Sequence, residues 1–118
     1  LGGRERTSAH AQATAAALSA MAPRFASLLT CIPVPGTPLE ADLRRGAFTP
    51  LDDRECLVEI RAVLCGLDCE GTVFRADHAS NPLPLAGNLP RDKARLLAEV
   101  DAALAGAARL RPTWARAL

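Results

Sequence analysis

The spacing of apolar positions changes several times along the chain, and each change marks an element. The sharpest pattern follows Asp52. Cys56, Leu57, Ile60, Val63, Leu64 and Leu67 fall at i, i+1, i+4, i+7, i+8 and i+11, one stripe of a 3.6-residue repeat. Asp52 stands three residues before Glu55, a capping-box start, and Gly66 sits where a C-terminal cap would. A last helix is predicted from about Asn88, with Leu89, Leu96, Leu97, Val100, Leu104 and Ala107 or Ala108 on one face and Pro112 past its end. Thr7 to Met21 is read as helix on propensity, because Ala suits either face; Thr7 or Ser8 is the expected cap and Pro23 the stop.

The segments between these helices are apolar without a helical period. Phe25 to Val34 mixes β-branched and aliphatic residues with no clean alternation, which predicts a strand buried on both faces. Gly71 to Arg75 predicts a second strand, and Leu1 to Arg6 the end of a strand turning into the first helix. Pro35 to Pro38 and Asn81 to Leu89 are read as loops from their proline and glycine content, with Glu40 to Arg45 as one or two helical turns ending at Gly46. Strand, loop, helix, strand, helix is the order of a βαβ unit, so the expected class is α/β with parallel strands. Two strands buried on both faces would leave two hydrophobic edges open. A complete (β/α) barrel needs roughly 250 residues. The expectation is therefore a partial (β/α) barrel over residues 1–111, with 112–118 as a loose tail.

Composition narrows the function classes. The 118 residues include 24 Ala and 18 Leu against three Phe, one Trp and no Tyr, so the core must be built from small side chains. Fourteen basic and 13 acidic residues leave a formal charge of +1, which argues against a nucleic-acid arm or a polybasic membrane patch. The longest uncharged run, Thr7 to Pro23, is interrupted by His10, Gln12, Thr14 and Ser19 and falls short of the roughly 20 apolar residues a membrane helix needs. Glu5 between Arg4 and Arg6 weakens a signal-peptide reading. Cys56 and Cys65 lie on the predicted apolar stripe, where a free thiol behaves as a small hydrophobe. Reduced cysteines and a cytoplasmic location are the expectation.

Few residues point to chemistry. Cys65 and Cys69 share a C-x₃-C spacing with no third ligand nearby, so no metal site is assigned. His10 has no partner within its own turn and is expected on a solvated face. Gly2-Gly3 before a helix could hold an anion, although many strand-to-helix turns use glycines. His78 lies in Asp77-His78-Ala79-Ser80-Asn81, just past a predicted strand's carboxyl end, where α/β folds place functional side chains. A polar turn bonding its own backbone and a ligand contact remain equally open there. It is no hydrolase triad, because near-neighbours in an extended chain point to alternating sides and no Gly-x-Ser-x-Gly elbow occurs. No catalytic residue is assigned.

Two stretches resemble the later half of the radical SAM (S-adenosylmethionine) enzyme barrel. The first is Leu1-Gly2-Gly3-Arg4-Glu5, then a helix, then Leu28-Leu29-Thr30-Cys31-Ile32-Pro33-Val34-Pro35-Gly36-Thr37-Pro38-Leu39. The second is Thr72-Val73-Phe74-Arg75-Ala76-Asp77-His78-Ala79-Ser80-Asn81 followed by Pro84-Leu85-Ala86-Gly87-Asn88-Leu89-Pro90-Arg91-Asp92-Lys93, similar to the C-terminal signature of one little-characterised branch. The resemblance implies a parent enzyme that binds S-adenosylmethionine beside a [4Fe-4S] cluster and cleaves it reductively to a 5′-deoxyadenosyl radical. It implies that Gly2, Gly3, Thr30 and Ile32 lie near the cofactor and that His78 and Asn81 contact an unidentified small-molecule or macromolecular substrate. The family's C-x₃-C-x₂-C cluster motif is absent, Asp77 stands where that branch has Asn, and Pro82 where it has an aromatic residue. The implied partner is the N-terminal half of the barrel, and the chain alone should be catalytically inert. The alternative is a small standalone α/β interaction module; a Cys/His metal-binding protein is a third reading.

Overall fold

A computed structural model describes residues 3–117. Four helices, α1 (Thr7–Met21), α2 (Pro38–Arg44), α3 (Asp53–Gly66) and α4 (Lys93–Leu104), accompany three short strands, β1 (Phe25–Ser27), β2 (Thr72–Arg75) and β3 (Ala86–Leu89). The sheet is mixed, in the order β1-β2-β3: β1 runs parallel to β2, and β2 antiparallel to β3. This is an α/β domain whose three strands do not close into a barrel; the expectation of parallel strands holds for β1 and β2 and is corrected for β3, which pairs antiparallel. None of the helices among the described residues is long and apolar enough to cross a membrane.

The helix ends follow local chemistry closely in two places. Asp52 accepts the Glu55 N–H at 2.8 Å while Glu55 accepts the Asp52 N–H at 2.9 Å, a complete capping box for α3. Thr37 caps α2, with Pro38 at the first helical position. The expected cap of α1 is corrected: Thr7 is already inside the helix, after a 3₁₀ turn over Arg4–Arg6, and its hydroxyl donates to Glu59. The α3 stripe is as expected, with Cys56, Leu57, Ile60, Val63, Leu64 and Leu67 all buried. Cys65 is not part of it; its side chain is exposed.

Gly66 serves packing rather than a left-handed cap. It is the last residue of α3, and a Cβ there would stand 2.8 Å from the Ala15 Cβ of α1. Small residues let the two helix backbones approach. Gly66→Ala should therefore lower stability by about 1–3 kcal/mol through overpacking, although Ala is the better helix former by about 1 kcal/mol. Pairing it with Ala15→Gly should restore part of the loss, read as the urea midpoint at constant slope.

Burial alternates across the sheet. Ala26, Phe74 and Gly87 are aligned across the three strands and buried, as are Thr72 and Leu89 on the same side. On the other side Phe25, Ser27, Arg75, Ala86 and Asn88 are exposed and Val73 half-buried. The core lies on the first face, where Phe74, Leu85 and Leu89 meet Ala11 and Ala15 of α1, Leu57, Ile60 and Leu64 of α3, and Leu96 and Val100 of α4. The expectation of strands buried on both faces is thus corrected: this is a two-layer arrangement, with an open sheet face.

Two further corrections concern the strands. β1 covers only 25–27, not 25–34. Leu28 N–H still reaches Arg75 O at 2.9 Å, but the next donors leave the ladder and Pro33 and Pro35 cannot supply any. β3 occupies a segment read as loop. Its four residues have no β-branched member, and neighbours hold them instead: Arg95 donates to Ala86 O at 2.8 Å and Asn88 N–H donates to Asp92 at 2.7 Å. A Cβ on Gly87 would stand 2.9 Å from Asp92 Cβ, so glycine is what lets the strand lie against the start of α4. The Arg91 guanidinium, with help from the Asn88 N–H, holds the Asp92 carboxyl well below the usual carboxylate range. α4 starts at Lys93 rather than near Asn88, because Asn88 and Leu89 belong to β3 and residues 90–92 form the joint to the helix.

Past Pro112 the chain makes one 3₁₀ turn over Thr113–Ala115. Arg116 then pairs with Asp53 through two bonds of 2.6 and 2.7 Å and also donates to Arg111 O.

Candidate functional site: the carboxyl ends of the parallel strands

β1 and β2 run in the same direction, so the residues that follow them emerge at one edge of the sheet. A crevice of ≈ 480 Å³ opens there, lined by Ser27, Leu28, Leu29, Arg75, Asp77 and His78. Ser27 and Arg75 are register partners on the open face; Asp77 and His78 lie just beyond β2. This is where open α/β sheets bind ligands, outside the carboxyl ends of parallel strands. The Arg75 guanidinium bonds only its neighbour's carbonyl, Phe74 O at 3.3 Å, and no carboxylate among the described residues pairs with it.

The rim of the crevice is fixed by Asn81, which is fully buried. Its amide donates to Leu28 O at 2.7 Å and to Ala76 O at 2.9 Å. Its carbonyl oxygen accepts from Thr30 N–H at 2.8 Å and Thr30 Oγ1 at 2.9 Å. One side chain thereby ties the segment after β1 to the segment after β2 and uses all four of its hydrogen-bonding positions. Arg111, from the C-terminal segment, donates to His78 O at 2.7 Å and Asn81 O at 3.0 Å and braces the same turn from behind. The turn also orients His78. Ser80 N–H donates to His78 Nδ1 at 3.2 Å, and Ser80 Oγ lies 3.0 Å from the same nitrogen.

A second depression is lined by Gly3, Glu5, Arg6, His10, Asp42, Ala47 and Phe48. His10 is on an exposed face, as expected. It has a partner 49 residues away: its Nδ1 lies 2.8 Å from Oε1 of Glu59, whose carboxylate is fully buried while the His10 side chain is 42% exposed. Thr7 Oγ1 donates to the other oxygen of Glu59. A buried carboxylate is tolerated only when partnered in this way. Glu59 sits among the buried positions of α3, and an acid on an apolar stripe was the available signal for it.

The sequence-derived positions divide between these two places. Gly2 lies outside the described residues. Gly3 makes an isolated bridge to Pro50, and Phe48 covers it: a Cβ on Gly3 would stand 2.9 Å from the Phe48 ring. Thr30 and Asn81 are brought together directly, and His78 lines the crevice beside them. Ile32 is half-buried in the segment between β1 and α2. Arg75 and Asp77 precede His78 on its own stretch of chain, whereas Ser27 is placed beside them only by the pairing of the strands.

None of the cysteines lines the crevice. All four are free thiols, and burial pushes the Cys56 thiol up to about 11. Cys65 Sγ lies 3.6 Å from Arg61 on the outer side of α3. No family model, curated protein or solved structure matches the chain.

Proposed function

We propose that this chain is the C-terminal part of a radical SAM-type (β/α) barrel enzyme, a cytoplasmic protein whose N-terminal half carries the [4Fe-4S] cluster. The observation that carries the reading is the one-sided sheet. Helices α1, α3 and α4 cover a single face, as helices do on the outside of a barrel, and the face left open corresponds to a barrel's interior. The crevice with Arg75, Asp77 and His78 then opens at the catalytic end of that interior. The two stretches that carry the family resemblance meet at this place, through the Thr30–Asn81 bonds.

The residues assigned to the cofactor do not form a cradle for it. The Gly3 α-carbon is covered by Phe48, and both Thr30 donors are committed to Asn81. No step through S-adenosylmethionine or the cluster is derived from this chain. Its own contribution in this reading is on the substrate side: Arg75 and His78 hold the substrate, and Asn81 and Arg111 position the turn that presents His78.

The reading is tested on the coding frame and on the protein. A C-x₃-C-x₂-C segment should lie in frame within about one barrel-half upstream of Leu1. The complete chain, reconstituted anaerobically with iron, sulfide and a reductant, should then release 5′-deoxyadenosine, and the 118-residue chain none. A start codon adjacent to Leu1, or 5′-deoxyadenosine from the 118-residue chain, would overturn it. The exposed Phe25, Leu29 and Val34 favour a second reading, an interaction module that covers its open face with a partner.

A further inference from the structure

The hydrogen bonds around His78 fix which of its ring nitrogens carries the proton. Ser80 N–H can only donate, so Nδ1 must accept it. Thr30 N–H also donates to Ser80 Oγ, at 3.2 Å, which leaves the Ser80 hydroxyl proton free to point at the same Nδ1. Two donors converge on Nδ1, so the ring proton sits on Nε2. His78 therefore offers an N–H donor at the crevice. Beside it stands Arg75, whose guanidinium no carboxylate among the described residues neutralises. The Ser27 hydroxyl adds a third donor on the strand adjoining Arg75. Donor residues that line one crevice together with an unneutralised guanidinium recognise an oxyanion.

We infer that the crevice at the ends of β1 and β2 binds the carboxylate or phosphate group of a ligand, held by the Arg75 guanidinium and His78 Nε2–H, with Ser27 beside them. This deepens the reading of the crevice as a substrate site. Asp77 lies at the same crevice and discriminates against ligands of high negative charge. Arg111 and Asn81 act as positioning residues, because they hold the His78–Asn81 turn and face its backbone rather than the crevice.

The test is nuclear magnetic resonance on the 118-residue chain, so that it stands apart from any turnover of S-adenosylmethionine. Imidazole ¹⁵N shifts of His78 should show the Nε2–H form, and Ser80→Ala should relax that preference. Titration with inorganic phosphate or succinate should move the resonances of Ser27, Arg75, Asp77 and His78 together and saturably. Tighter binding of phosphate would mark a phosphorylated ligand, and tighter binding of succinate a carboxylic acid. Arg75→Gln should weaken binding about 10-fold or more, the loss of one charge-assisted contact. His78→Gln, which keeps an N–H near the Nε2 position, should bind more tightly than His78→Ala. Asp77→Asn should tighten binding roughly two- to threefold by removing a like charge. An Nδ1–H ring, no saturable shift at tens of millimolar, or binding unchanged in Arg75→Gln would each overturn the inference. If the upstream cluster motif is missing and the anion still binds in this way, the inference stands and the radical SAM reading falls.

Discussion

Asn81→Ala should destabilise the chain by about 3–5 kcal/mol, and Asn81→Asp by at least as much. The reason is the number of groups one side chain satisfies. Leu28 O and Ala76 O lose their donor, and Thr30 N–H and Oγ1 lose their acceptor. A buried polar group left without a partner costs about 1–3 kcal/mol, and water entering the vacated space recovers part of it. The total is a large share of the roughly 5–15 kcal/mol that holds a domain folded. The aspartate variant separates hydrogen bonding from shape. It has nearly the same volume and keeps the acceptor that Thr30 uses, but turns its second oxygen toward two carbonyls. Chemical denaturation of both variants checks the claim. A near-native midpoint for Asn81→Asp would mean that the residue fills space and does not tie the two segments together. Loss of Asn81 should also release the turn that orients His78, so any ligand affinity at the crevice should fall with the Asn81 substitutions even below their unfolding midpoint.

The helices were legible because their signals are local. The capping box at Asp52 and Glu55 and the stripe from Cys56 to Leu67 lie within one stretch of chain, and both form as read. What was missed depends on partners far along the sequence. β3 consists of Ala86, Gly87, Asn88 and Leu89, poor strand formers that Asp92 and Arg95 hold in place. The shortness of β1 follows from where the Thr30 N–H goes, to side chains fifty residues away. The partner of the exposed His10 was hidden because Glu59 stands on another helix. For the crevice, His78 was visible from its place after a strand. Its neighbour Ser27 was not, since nothing in the local sequence reveals that Phe25–Ser27 pairs with Val73–Arg75. Both faces of the strands looked apolar because the chain is rich in small aliphatic residues throughout, which hides the alternation that a one-sided sheet normally shows.

Phe74→Ala should cost about 3–5 kcal/mol, whereas Val73→Ala, one residue earlier on the same strand, should cost less than about 1 kcal/mol. Phe74 is fully buried at the centre of the sheet's covered face, in a core otherwise made of Leu, Ile, Val, Ala and Cys. Small neighbours cannot fill the space a benzyl group leaves, so the cavity term adds to the lost transfer energy. For a chain of this length the loss should lower the melting temperature by roughly 10–20 °C. Val73 points to the open face, where truncation leaves no cavity. The ratio of the two losses measures how one-sided the sheet is, and it also distinguishes the readings of function. In a complete barrel the open face becomes interior, so Val73→Ala should become several times more costly there than in the 118-residue chain. An interaction module gives the same increase only when its partner is added. Equal losses at Val73 and Phe74 in the chain alone would mean that a second copy already covers the face, and a melting temperature that rises with protein concentration would accompany that outcome.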